Sequence, residues 1–248
     1  MKKLFIIALL FLTAFALPPK KNKVWLIGDS TMSIKDTRAY PETGWGMPFQ
    51  YFFDSTIVVD DRAKNGRSTR TFIEEGLWQP VVDNMNAGDY VFIQFGHNDE
   101  VETKKSYTTK EQFVANLTRY VNESRAKKAI PILLTPVARR KFDASGKIVG
   151  THDVYSQLVR DLAKTLNVPL IDLDTKSQAL YQQLGSESSK YLFNYLQPGE
   201  HPNYPEGKQD DTHFNEYGAR RIAELVLEGL KEMKVDLVDH VVNQKGNR

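Results

Sequence analysis

The sequence predicts an α/β fold, a parallel sheet with helices on both of its faces. Short apolar runs, partly β-branched, recur at residues 24–28, 56–59, 90–95, 130–135 and 169–172. Runs of this length and character are what strands buried on both faces look like. Between them lie longer amphipathic stretches. Residues 110–127 place Phe113, Leu117, Tyr120 and Val121 at helical spacing. Residues 152–166 do the same with Val154, Leu158, Leu162 and Leu166, and residues 215–233 with Ile222, Val226, Leu227 and Leu230. Alternation of the two patterns is the mark of a parallel sheet built from βαβ units. A chain of 248 residues, 41% hydrophobic and 26% charged, can bury one sizeable core.

The first residues read as a leader rather than as part of that core. Lys2 and Lys3 are followed by an apolar run from Leu4 to Leu12 and by Ala14-Phe15-Ala16, an A-x-A-like cleavage site. The run is shorter than the roughly 20 residues that a membrane-spanning helix needs. The expectation is a signal peptide over 1–16, a single domain over 17–248, and a secreted or periplasmic protein without a membrane anchor. The formal charge is +2, and removing Lys2 and Lys3 leaves the side-chain charges balanced. Such a balance argues against nucleic acid or an anionic membrane surface as partner. The chain has no cysteine. That excludes disulfides, a lipidated cysteine, a cysteine nucleophile and a thiolate metal site.

Three of the predicted strands run into small and polar residues. The first, "VWLIGDSTMS", ends at Gly28 and passes at once to Asp29 and Ser30; the second is followed by "DRAKNGRSTRTF"; the third, "YVFIQF", meets "GHND". Gly, Asp and Ser there are ordinary turn chemistry, and serine is also a favoured helix N-cap. In a doubly wound sheet, however, such ends lie side by side on one edge, where open α/β folds place their ligands. Ser30, Gly66 and Asn98 then converge. Near the C-terminus, "DDTHF" sets Asp210 three residues before His213. In a helical or turn-like conformation i and i+3 face the same way, so Asp210 is the better partner for His213 and Asp211 the weaker. A serine hydroxyl needs a base to take its proton, and histidine suits that task near neutral pH. A carboxylate orients the imidazole and stabilises its cation.

These residues together resemble the SGNH, or GDSL-like, esterase/lipase superfamily, whose four blocks would be Ser30 in "GDSTMS", Gly66 in "NGRS", Asn98 in "GHND" and His213 in "DDTHF". "GWG" at 44–46, "GRSTRTF" at 66–72, "FGHND" at 95–99 and "DTHFNEYGA" at 211–219 resemble the rhamnogalacturonan acetylesterase subgroup. The resemblance implies a flavodoxin-like three-layer α/β/α sandwich around a five-stranded parallel sheet, with no metal or other cofactor. It implies a carbohydrate esterase that removes acetyl groups from pectin. It makes Ser30 the nucleophile, His213 the base and Asp210 its orienter. The oxyanion donors would be the backbone N–H groups of Ser30 and Gly66 and the Asn98 amide. The G-x-S-x-G elbow of α/β-hydrolases is absent. An acetylated xylan or a lipid-like ester would use the same residues, whereas a non-catalytic carbohydrate-binding protein would not need Ser30, Asp210 and His213 together.

Other residues carry weaker expectations. Tyr40, Trp45 and Trp78 are candidates to stack on a sugar, with core packing the favoured reading of each. Arg67 and Arg70 could pair with a uronate carboxylate or form internal salt bridges. His97 reads as a neighbour shaping the pocket, and His152, His201 and His240 as exposed. Residues 193–212 hold three prolines and two glycines without any period, and read as a long surface loop.

Overall fold

The apolar runs assemble into one sheet in the computed structural model, which describes residues 21–242. Its strands are β1 (Asn22–Gly28), β2 (Ile57–Asp61), β3 (Tyr90–Gln94), β4 (Ile130–Leu134) and β5 (Leu170–Ile171). They pair in parallel in the order β2-β1-β3-β4-β5. Val24 lies opposite Val59 and Tyr90, and Gly28 lies opposite Gln94. All five carboxyl ends therefore share an edge. The order reverses at β1, which creates a switch point between β1 and β3.

The period of two along each strand divides the core. Val24, Leu26, Phe92, Ile132 and Leu134 face one side, and Trp25, Ile27, Val91, Ile93 and Leu133 the other. Seven α-helices follow in chain order among the described residues: α1 (Gly46–Phe49), α2 (Thr69–Glu74), α3 (Gln79–Asn84), α4 (Lys110–Ala126), α5 (Asp153–Leu166), α6 (Leu173–Ser188) and α7 (Glu216–Met233). Phe49, Tyr181, Ile222 and Val226 bring α1, α6 and α7 onto the first face. Phe72, Val81, Phe113, Leu117, Tyr155 and Val159 bring α2–α5 onto the second. The result is the three-layer α/β/α sandwich expected from the sequence.

Local chemistry sets the helix starts. Thr109 and Gln112 form a capping box at α4, and Ser68 and Thr71 one at α2. Asn215 caps α7 by accepting from the Gly218 N–H at 3.0 Å, and its Nδ2 donates to the carbonyls of Tyr191 and Phe193. The cap of the last helix thus sits at a defined point two residues after His213.

The expected long loop at 193–212 is corrected. β6 (Phe193–Leu196) and β7 (Lys208–Phe214) form an antiparallel ribbon. Pro198, Pro202 and Pro205 and the glycines Gly199 and Gly207 all fall in its connector. They obscure two flanks able to pair. The predicted leader over 1–16 lies outside the described residues.

Candidate active site

Ser30 sits in a tight turn just past β1. The Asp29 carbonyl accepts from the N–H groups of Ser33 (3.1 Å) and Met32 (3.3 Å). Asp29 Oδ1 accepts from the Thr31 N–H and hydroxyl at 2.9 and 2.8 Å. The segment 44–46 braces this turn from behind. The N–H groups of Trp45 and Gly46 donate to the carbonyls of Thr31 and Met32. A Cβ on Gly44 would stand 2.1 Å from the Ser33 carbonyl oxygen, so a glycine is required for the approach. Trp45 Nε1 donates to Gln94 at 2.7 Å, and Gln94 Nε2 donates to the Thr31 hydroxyl at 2.7 Å, which ties the turn to the end of β3. Lys35 completes the brace. Its side chain is fully buried; the ammonium donates to the Ser30 carbonyl and to Asn65 Oδ1 (2.9 Å) and pairs with Glu42 at 2.8 Å. Nothing in the periodicity of the chain marks this lysine.

The second and third blocks reach the same edge. The Lys64 N–H donates to the Gly28 carbonyl at 2.9 Å, and Gly66 has a φ of +76°, as a turn that reverses the chain there requires. Asn65, beside it, also accepts from the Ser33 hydroxyl at 2.6 Å. The buried Asn98 is oriented by two bonds. Its Nδ2 donates to the Arg67 carbonyl at 3.1 Å, and its Oδ1 accepts from Lys104 at 3.4 Å. One amide N–H is left for another acceptor.

The base end is built differently. Asn194 on β6 faces Asp210, while the adjacent Phe193 faces Phe214. Residues 211–213 are therefore extruded from the ribbon as a bulge, a device that re-aims side chains. Asp210 Oδ1 accepts from the N–H groups of Thr212 (2.8 Å) and His213 (3.0 Å), and Oδ2 accepts from His213 Nδ1 at 2.9 Å. Nδ1 then carries the proton, and Nε2 is free to accept from the Ser30 hydroxyl, 2.9 Å away. Burial acts to raise the Asp210 carboxyl, but the His213 ring and the bulge N–H groups outweigh it and hold it well below the usual carboxylate range. Asp211 points elsewhere, to Arg140 at 2.7 Å and the Tyr195 hydroxyl at 2.6 Å.

Behind the Ser30 turn lies a buried cluster. His97 Nδ1 is 3.3 Å from Asp29 Oδ2, its ring centroid is 4.2 Å from that of His152, and His152 Nδ1 is 2.8 Å from Glu100. Burial, then the neighbouring His152, push His97 down to about 3. Asp29 is held at about 2: burial opposes the charge, but His97 and the Thr31 bonds overcome it. The expectation of an exposed His152 is thereby corrected, since it is 1% exposed and heads α5 against His97.

The weaker candidates separate. Trp45 and Trp78 are buried and offer no ring face to a sugar, whereas Tyr40 is exposed. Arg67 pairs with Glu75 at 2.7 Å and Arg70 with Glu74 at 2.6 Å, so both take the internal option. Tyr40 helps to line a cavity of about 710 Å³ with Ile34, Met47 and Tyr51, and none of Ser30, Asp210 or His213 lines it.

Comparison with known proteins places the chain in a family. Residues 26–221 match the model of the GDSL-like lipase/acylhydrolase family. The chain is 44% identical over 228 residues to the rhamnogalacturonan acetylesterase RhgT of Bacillus subtilis, covering 92% of this chain and 97% of that one. It is 25% identical over 242 residues to a rhamnogalacturonan acetylesterase of Emericella nidulans, covering 88% and 89%. Among solved structures, the YxiM protein of Bacillus subtilis superposes with a TM-score of 0.76 at 26% identity, over 88% of this chain and 58% of that one. An acetylxylan esterase of Geobacillus stearothermophilus shares the fold, with a TM-score of 0.61 at 17% identity over 89% and 97%. With its family segment carrying Ser30, Gly66, Asn98 and His213, the chain is an ester-hydrolysing member of the GDSL-like lipase/acylhydrolase family.

Proposed function

We propose that the protein is an exported rhamnogalacturonan acetylesterase that works through Ser30, His213 and Asp210. The observation that carries this reading is the relay of two 2.9 Å contacts, Ser30 Oγ to His213 Nε2 and His213 Nδ1 to Asp210 Oδ2, in a chain 44% identical to RhgT. Ser30 Oγ attacks the acetyl carbonyl carbon as its proton passes to Nε2. The carbonyl electron pair moves to oxygen, which accepts from the N–H groups of Ser30 and Gly66 and from the free Asn98 amide N–H. The bond from carbon to the sugar oxygen then breaks, and that oxygen takes the proton from Nε2. Water attacks the acetyl-Ser30 ester by the same route and releases acetate. Asp210 stays ionised and steadies the imidazolium. The Lys2-Lys3, apolar and Ala14-Phe15-Ala16 sequence supports export. No helix among the described residues is long and apolar enough to cross a membrane.

Acetate release from acetylated rhamnogalacturonan, acetylated xylan and acetylated homogalacturonan tests the reading. The expected result is fastest release from rhamnogalacturonan, with Ser30→Ala slower by about 10⁴-fold or more and equally stable. Substantial activity in Ser30→Ala would sink the nucleophile; release from xylan alone would sink the substrate.

A further inference from the structure

Arg139 lies just beyond β4, half-buried, where the chain passes the β7 bulge. Its Nη1 donates to Thr212 Oγ1 at 2.5 Å, and its Nη2 to the His97 carbonyl at 3.4 Å. The guanidinium therefore bridges the neighbour of His213 and the neighbour of Asn98. Arg67, Arg70, Arg140 and Arg160 each have a carboxylate partner. Arg139 has none within ion-pair distance among the described residues. A guanidinium carries five N–H donors. Two are used here, and the Nε–H is among those left over. A partly buried cation beside a reaction site, with donors to spare and no counter-ion, is a binding group for an anion.

A second cation without a carboxylate partner among the described residues sits beside Asn98. The Lys104 ammonium lies 3.4 Å from Asn98 Oδ1. The whole chain carries a formal charge of only +2, so this grouping is not the reflection of a generally basic surface.

We propose that Arg139 is a specificity-determining residue that receives a uronate carboxylate of the bound acetylated polysaccharide. The inference rests on the reading of the site as an esterase for acetylated polysaccharide. The planar fork of arginine matches a carboxylate with two parallel bonds, which a lysine cannot reproduce. A neutral acetylated backbone offers nothing to the fork and leaves it without a counter-ion. Arg139 thus takes the role that the sequence suggested for Arg67 and Arg70.

The test is a cycle with two variants and three substrates. Wild type, Arg139→Gln and Arg139→Lys are assayed on acetylated rhamnogalacturonan, on the same polymer with its uronate carboxyls methyl-esterified, and on 4-nitrophenyl acetate. Arg139→Gln is expected to lower kcat/KM on the acidic polymer about 10- to 100-fold, the range for a charge-assisted contact. It should change the aryl acetate rate less than about threefold. Wild type should lose the same factor on the esterified polymer, where Arg139→Gln loses no more, and Arg139→Lys should fall between. An equal loss on the aryl acetate would overturn the proposal, since Arg139 would then only position Thr212 and His213. Wild-type rates that ignore esterification would overturn it as well, while leaving the acetylesterase reading intact. If wild type cleaves the aryl acetate but not rhamnogalacturonan, the substrate reading fails, and acetylated homogalacturonan takes its place in the cycle. A carboxyl-dependent loss in Arg139→Gln would then uphold the arginine's role, and its absence would overturn it.

Discussion

Ser30 and His213 meet at 2.9 Å but are held there in opposite ways. The Ser30 turn is buried and braced by residues from distant parts of the chain: Trp45, Gln94 and, through Lys35, Glu42 and Asn65. The His213 end rides on a two-stranded ribbon, partly open to solvent. Asp210 orients it from three residues away through bonds confined to residues 210–213. The nucleophile's place is thus a property of the whole sheet edge, and the base's orientation a property of one bulge. The contrast teaches that a single substitution at the base end can remove function and spare the fold. In the brace around the nucleophile the two should fall together.

Asp210→Ala is the sharpest test of that contrast. It should lower kcat about 10³- to 10⁴-fold, as loss of the orienting carboxylate does elsewhere, while the thermal midpoint moves little. Asp211→Ala, which touches Arg140 and Tyr195 instead, should cost less than about fivefold. The opposite order would break the comparison at its base end.

Lys35→Met attacks the other end. It strands Glu42 and the Ser30 carbonyl in the interior, so urea denaturation should show a loss of about 3 kcal/mol, alongside reduced activity. Glu42→Gln added to it should recover part of the stability. A single variant as stable as wild type would mean that the brace is carried by Trp45 and Gln94 alone.

Asp29→Asn gives the smallest effect, read against pH. The Asp29 carboxyl, held at about 2 in the fold against an ordinary value of 3.8, binds its proton less readily folded than unfolded. Its contribution to stability is complete above about pH 4 and disappears as pH falls toward about 2. That amounts to about 2 kcal/mol across the window. The variant should lack this part of the acid slope; identical slopes in urea denaturation series from pH 5 to 2.5 would show that the buried carboxylate is not held low.

Much of the architecture is legible in the order of the residues. The strand at 24–28 is readable because burial on both faces leaves an uninterrupted apolar run, and the helix at 110–127 because a half-buried helix repeats every 3.6 residues. The ribbon at 193–214 is hidden, because β7 reads as "KQDDTHF", polar throughout until Phe214, and its pairing is visible only from β6. α6 is hidden for a related reason: its apolar positions are sparse, and Gly185 interrupts it with a φ of +77°.

The sequence by itself determined the layered α/β architecture and brought Ser30, Gly66, Asn98 and His213 into one hypothesis. Periodicity and turn chemistry are local, and the strand ends of a parallel sheet must share an edge. The tertiary structure alone decided which groups surround them. Lys35 beneath the Ser30 turn and its pairing with Asn65, His152 against His97, and Arg139 between Thr212 and His97 join parts of the chain that lie far apart in sequence. Such contacts depend on strand order and on where loops cross, and no pattern of neighbouring residues encodes either.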